Sequence, residues 1–158
     1  MSKWGAELKG SIDLGYMDNV LTKEQMMQIG LAALGVIQGE TQEKHIDENG
    51  RRFKKYNTEY AEFRKEKGKG TEVDLTFTTK MMEAMKVVAV TAKSVTIGFM
   101  DSTPARGGLR PSQKMLRTNK KRPWFGFGRP KSKRRRLIHQ IGSEIYIEAL
   151  TRRLGGSN

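Results

Sequence analysis

The chain has 158 residues, no cysteine, and 30 Lys and Arg against 17 Asp and Glu, a formal net charge of +13. That length fits one domain with enough volume to bury a core. Without cysteine there is no disulfide, thiolate zinc site or cysteine nucleophile, and no apolar run approaches the ~20 residues that a bilayer span needs.

The charge is concentrated. Between Thr103 and Arg136 lie 13 basic residues and no acid: Arg106, Arg110, Lys114, Arg117, Lys120, Lys121, Arg122, Arg129, Lys131, Lys133, Arg134, Arg135 and Arg136. The other 17 of the 30 basic residues are matched by all 17 acids. The chain is therefore a neutral domain carrying one cationic segment, and an acidic partner is expected there. The opening residues MSKWGAELKG lack the hydrophobic core of a signal peptide, so the expectation is a protein made in the cytoplasm.

Residues 1–20 are Gly-rich, with Trp4, Leu8 and Ile12 spaced four apart, and read as an N-terminal arm or a short amphipathic helix. Thr22 followed by Gln25 has the capping-box form, in which each side chain satisfies a free backbone amide. Met26, Met27, Ile29, Leu31, Ala33, Leu34, Val36 and Ile37 then cover well over half of a helical circumference. That pattern predicts a helix packed on more than one side. Gly30 and Gly35 lie inside it, at a cost of about 1 kcal/mol each against Ala, which close helix contact would offset.

Asp47-Glu48-Asn49-Gly50 reads as a turn. It is not a calcium loop, because Thr58 stands at the twelfth position, where a bidentate Glu belongs. Phe53, Tyr56, Tyr60 and Phe63 follow at helical spacings, with Asn57 or Thr58 as the cap of a short helix that ends by Lys67 and Gly68. The period then shortens to two, and Val73, Leu75 and Phe77 alternate with Asp74 and Thr76 as in a half-buried strand. A helical turn capped by Thr79 is expected through Met81, Met82 and Met85. Residues 86–92 and 94–100 read as two strands of a hairpin around Lys93, without an Asn-Gly turn.

Residues 101–132 hold all four prolines and read as loop, interrupted by the apolar Trp124-Phe125-Gly126-Phe127-Gly128. A closing helix is expected from about Ser132 to Leu154. Leu137, Ile138, Ile141, Ile145 and Ala149 form one stripe of it, and Tyr146, Leu150 and Leu154 lie roughly opposite, asking for a further neighbour such as another subunit. Glu148 and Arg152 are spaced to form an i,i+4 ion pair, and residues 155–158 read as a disordered tail. The sum is an α+β domain over 21–154. It has a small antiparallel β-sheet packed against two main helices, and a long basic loop, 103–136, that runs into the start of the last helix.

Lys133, Arg134, Arg135 and Arg136 fall in the first turn of that helix, where each cation opposes the helix dipole by about 0.3–1 kcal/mol. An external anion is expected to compensate, so neutralising Arg134, Arg135 and Arg136 is expected to weaken assembly without unfolding the domain. Arginine interleaved with aromatics suits phosphate contact and base stacking. Trp124, Phe125 and Phe127 are contiguous, however, and read better as a hydrophobic plug on the core. His45 and His139 have no metal-ligand spacing, and there is no nucleophile elbow, phosphate loop or dinucleotide fingerprint. The expectation is no enzyme, no cofactor, no metal and no membrane partner.

The order of these motifs resembles the tail-completion or virion-morphogenesis proteins of tailed bacteriophages, which act at the head–tail joint. The resemblance covers roughly residues 25–150. It is carried by an I-D-x-N-G turn (Ile46, Asp47, Asn49, Gly50), then by Phe53, Tyr56 and Tyr60 in a helix closing on Lys67-Gly68. Val73-Asp74-Leu75, the Met81-Met82 pair, Val95, Ile97 and Gly98 follow, and last comes the R-P-x-F-G box of Arg122, Pro123, Phe125 and Gly126. Thr79-Lys80 stands where the family usually has Thr-Gly, and the segment before the box is longer and more basic than usual. The resemblance implies a non-enzymatic virion protein that assembles as a ring, often sixfold, between connector and tail tube. It implies as partners other copies of the chain and neighbouring neck and tail-tube proteins, with DNA in the channel as a further contact. Phe53, Tyr56, Tyr60, Trp124, Phe125, Phe127, Tyr146 and Leu150 are the expected core or assembly residues. The alternative reading is an independent nucleic-acid-binding protein that uses residues 103–136.

Overall fold

The computed structural model describes residues 20–75, 80–101 and 108–155. Residues 1–19 of the expected arm, Thr76 and Phe77 of the expected strand, the expected cap Thr79, Arg106 and residues 156–158 of the tail lie outside the described residues. In chain order the elements are α1 (Lys23–Gln42), α2 (Thr58–Glu66), α3 (Lys80–Glu83), β1 (Met85–Val90), β2 (Val95–Phe99), α4 (Pro111–Lys121) and α5 (Lys133–Gly155). The fold is α+β, as the sequence predicts.

The Thr22/Gln25 box caps α1 reciprocally. Gln25 N–H donates to the Thr22 hydroxyl at 3.3 Å, and Thr22 N–H donates to the Gln25 side-chain Oε1 at 2.9 Å. The buried face of α1 carries Met26, Ile29, Gly30, Ala33, Ile37, Glu40 and Thr41, and α1 contacts both the hairpin and α5. Gly30 is needed there: a Cβ would stand 2.5 Å from a Val95 methyl and 3.0 Å from one of Val87. Gly35 has open space and no such reason. The helix is thus packed on more than one side, as expected, while Met27 and Leu31 stay exposed.

The hairpin pairs Met85 with Phe99 and Val87 with Ile97, then shifts register at Val88. Its turn closes without Asn-Gly because Thr91 substitutes for it. The Thr91 hydroxyl accepts from Lys93 and Ser94 N–H at 3.1 and 2.9 Å, and Thr91 N–H donates to the Ser94 carbonyl at 2.8 Å. Met85, expected in the preceding helical turn, is the first residue of β1.

Two expectations need correction. Val73, Asp74 and Leu75 are not in a strand: Asp74 accepts two hydrogen bonds from the buried Arg64 of α2, and Leu75 has a φ of 56°. The basic stretch is not loop throughout, since α4 occupies 11 residues of it. Pro111 at its first position leaves no amide to satisfy, and Asp101 supplies an acid where the dipole favours one. Asp101 accepts from Ser112 N–H at 2.9 Å and from the Ser112 hydroxyl at 2.6 Å.

The core joins Met26, Ile29, Ala33 and Ile37 of α1 with Met81, Met82, Met85, Val95, Ile97, Phe99, Met115, Trp124, Phe125, Ile138 and Ala149. Trp124 and Phe125 meet Phe99 edge-on at 6.1 and 5.0 Å, so the aromatic box is the expected plug, with Phe127 partly buried beside it. On α5 the buried positions are Arg134, Ile138, Gly142 and Ala149. Tyr146 is partly buried against the same core and Leu150 is half-buried, so the expected second stripe is exposed chiefly at Leu154, beside Ile147. Helix α2 buries only Arg64 and stands outside this core.

Candidate anion-binding cleft

The cationic segment divides three ways. Arg134 is fully buried, its Nε 2.6 Å from Glu40 Oε2, and its NH1 donates to the carbonyls of Trp124 at 2.5 Å and Gly126 at 3.0 Å. Its anion is internal, at the C-terminal end of α1, so Arg134 is not a partner-binding residue. Neutralising it would damage the core, contrary to the sequence expectation. The helix start is satisfied locally as well, because the Ser132 hydroxyl accepts from Arg135 N–H at 3.2 Å. Arg110, Arg129, Lys131, Lys133 and Arg136 are exposed and Arg135 is half-buried.

Arg122 forms a latch. Its Nε and NH2 each donate to the Lys54 carbonyl at 3.2 Å, NH2 also reaches the Lys55 carbonyl at 3.5 Å, and its guanidinium lies 5.2 Å from the Tyr56 ring centroid. Arg64 approaches the same ring at 5.1 Å. Arg64 is buried; its Nε donates to the Gly70 carbonyl at 2.8 Å and its NH2 is 3.0 Å from Asp74 Oδ1. These two arginines tie α2 and its flanking segments down from both sides of the chain. Burial pushes the Tyr56 phenol above its ordinary value of 10.0, opposed by the charge of Arg64.

The third part is α4 itself. Lys114, Arg117, Lys120 and Lys121 face Lys54, Lys55, Tyr56 and Tyr60 across a cavity of about 1200 Å³. Leu75, Met81 and Leu109 add apolar surface, and Asn57, Arg64, Thr118 and Arg122 complete the lining. Eight lining residues are basic and none is acidic among the described residues. Met115 anchors the opposite face of α4 in the core, while Thr118 donates to the carbonyls of Lys114 and Met115 and accepts from the Trp124 indole at 3.2 Å. This wall is rigidly seated, and four cations project from it.

Five of the expected anion-binding residues therefore meet in one cleft: Lys114, Arg117, Lys120, Lys121 and Arg122. Tyr56 and Tyr60, expected as core or assembly residues, line it instead of the main core, and Phe53 packs partly against that core. Lys54 and Lys55 were missed because they lie in the charge-balanced part of the chain. The signal was their position directly before Tyr56.

The I-D-x-N-G turn sits beside the aromatic box. Asp47 Oδ1 accepts from Asn49 and Arg51 N–H at 2.8 and 2.9 Å, Glu48 N–H donates to the Pro123 carbonyl at 2.9 Å, and Asn49 Oδ1 accepts from Arg129 N–H at 3.2 Å. A Cβ on Gly128 (φ 75°) would stand 2.3 Å from the Glu48 carbonyl oxygen, so only glycine allows this approach. Burial pushes the Glu48 carboxyl above its ordinary value of 4.5, opposed by the charges of Arg134 and Arg129.

Among the described residues no helix is long and apolar enough to cross a membrane, and no three His, Asp or Glu side chains are grouped to hold a metal ion. Comparison with protein-family models, with curated proteins and with solved structures finds no match to this chain.

Proposed function

We propose that this chain is a structural, non-enzymatic subunit of a tailed-bacteriophage particle. In this reading it is a neck or tail-completion protein that is made in the host cytoplasm, assembles as a sixfold ring and joins connector to tail tube. With no match among known proteins, the family rests on the order of the motifs.

One observation carries the assembly reading: a single subunit presents two unlike surfaces that this fold leaves uncovered. The first is a set of exposed apolar side chains on α1 and α5, Leu31 at 55% exposure and Ile147 and Leu154 at 60% and 73%. Glu40 of α1 pairs with Arg134 of α5, so the C-terminal end of α1 lies against the N-terminal end of α5. Leu31 belongs to the first half of α1, and Ile147 and Leu154 to the second half of α5. The other surface is the cationic cleft. Ring closure uses heterologous contacts, in which one patch meets a different patch on the next subunit; the exposed apolar side chains are what such a contact would cover, and the cleft stays open to a further partner. The meeting of the I-D-x-N-G turn with the R-P-x-F-G box gives further support, because two motifs of the resemblance contact one another in space.

The test is sedimentation velocity over a concentration series with electron microscopy of the fractions, beside mass spectrometry of purified particles. Rings and presence in particles are expected. A chain that stays monomeric at every concentration and is missing from particles would overturn the assignment.

A further inference from the structure

We infer that the cleft between α2 and α4 binds single-stranded nucleic acid, with phosphates along α4 and bases against α2. The inference rests on the cleft and stands independently of ring assembly.

The cleft's charge selects a polyanion. Two of its arginines are already engaged, Arg64 with Asp74 and the Gly70 carbonyl, Arg122 with the carbonyls of Lys54 and Lys55. What then faces the cavity is five lysines and one arginine, Arg117. Carboxylates are matched best by the planar guanidinium fork, whereas ammonium groups act as point charges and suit a flexible phosphate chain. A lysine-dominated rim thus favours phosphodiester over an acidic peptide.

The opposite wall supplies ring faces. Tyr60 is 37% exposed and lines the cleft, edge-on to Tyr56 at 4.9 Å and stacked with Phe63 at 6.2 Å. Tyr60 and Phe63 stand three apart on one face of α2, and Tyr56, just before the Asn57 cap, packs against Tyr60. A cationic groove beside a row of aromatics is the arrangement that grips single strands, whose unpaired bases stack without regard to sequence. Size agrees: about 1200 Å³ exceeds the ~300–1,000 Å³ of small-molecule pockets. A cleft between two helices admits a strand, and a duplex, with its bases already stacked, cannot use the tyrosines.

The experiment is fluorescence anisotropy with the full chain and a labelled oligothymidylate of about 16 nucleotides, against a duplex of equal length and an oligoglutamate of equal charge. The strand is expected to bind more tightly than either competitor. Its log affinity should fall with log salt by about 0.7 per phosphate contacted, and Lys114→Gln/Arg117→Gln/Lys121→Gln should flatten that slope by about 2. Tyr60→Ala should weaken binding about 5- to 150-fold with the slope unchanged, and Tyr60→Phe should retain the wild-type affinity. Unfolding midpoints in urea, measured alongside, should move little, since Tyr60, Arg117 and Lys121 are exposed and Lys114 is half-buried. Duplex or oligoglutamate binding as tightly as the strand, or wild-type affinity in Tyr60→Ala, would overturn the inference. Tight oligoglutamate binding would leave the ring proposal standing, and strand binding by a chain that never forms rings would do the reverse.

Discussion

Replacing Arg134 by Met should cost this protein a large share of its stability, although Arg134 sits in the middle of a run of surface-like cations. The side chain is fully buried and its guanidinium serves three acceptors: Glu40, and the carbonyls of Trp124 and Gly126. Without it, Glu40, 4% exposed, becomes a buried carboxylate lacking its cation, and two carbonyls of the aromatic box lose their donor. Removing one partner of a buried ion pair costs about 3–5 kcal/mol, against a total stability of about 5–15 kcal/mol for a domain. Arg136 is exposed, so Arg136→Met should stay within about 0.5 kcal/mol of wild type. Urea unfolding followed by tryptophan fluorescence reads both, provided the slope m is unchanged. The double variant Glu40→Met/Arg134→Met should be more stable than Arg134→Met alone, since no lone charge stays buried. It should remain below wild type, because the Trp124 and Gly126 carbonyls still lack donors. Equal unfolding midpoints for Arg134→Met and Arg136→Met would refute the assignment of Arg134 to the core.

The glycines of α1 give a paired prediction. Gly35→Ala should stabilise by roughly 0.5–1 kcal/mol through helix propensity, while Gly30→Ala should destabilise by about 1–3 kcal/mol because its methyl would meet Val95 and Val87, both read from thermal or urea unfolding. Glu48 gives a pH signature. Its folded pKa is raised, so its contribution to stability is full below about 4.5 and is lost as pH rises through the folded value. Glu48→Gln should therefore gain on wild type at neutral pH, and the gap should narrow as the pH of the unfolding experiment falls past that point. For assembly, Leu31→Asp with Ile147→Asp should abolish rings in sedimentation while leaving the unfolding midpoint nearly unchanged, since both residues are exposed.

The elements that were readable in the sequence are those whose signals are local. The Thr22/Gln25 box, the Asn57 cap and the 86–99 hairpin depend on neighbours within a few residues, and each forms as expected. Helix α4 was just as local, with Pro111 at its first position, Gln113 accepting from Arg110 N–H, and basic residues in its last turn. The four prolines of 101–132 point to loop, although a proline at the first helical position starts a helix. The expected strand at Val73 failed for a different reason. Its alternation is real, but the buried Arg64 holds Asp74 by side-chain bonds, and among the described residues no strand pairs with 73–75. The fate of Arg134 was not legible at all, because its partner Glu40 lies 94 residues away in the chain.

A uniform block of positive charge is thus three devices in sequence order. The α4 cations are held out over a cleft by Met115, buried in the core, and by Thr118, which accepts from the Trp124 indole. Arg122 then fastens α2, which contributes no apolar side chain to the buried core. Arg134 finally closes the core on α1. These roles separate because burial decides what a cation does: a buried guanidinium must be paired internally, and only a solvated one can serve a partner. Salt should therefore act unequally on them. Screening reaches the exposed α4 lysines and weakens whatever they bind, while the buried Arg134–Glu40 pair is largely untouched. Raising salt should release a cleft ligand well before it lowers the unfolding midpoint, and a parallel loss of both would mean that the cleft cations hold the fold rather than a partner.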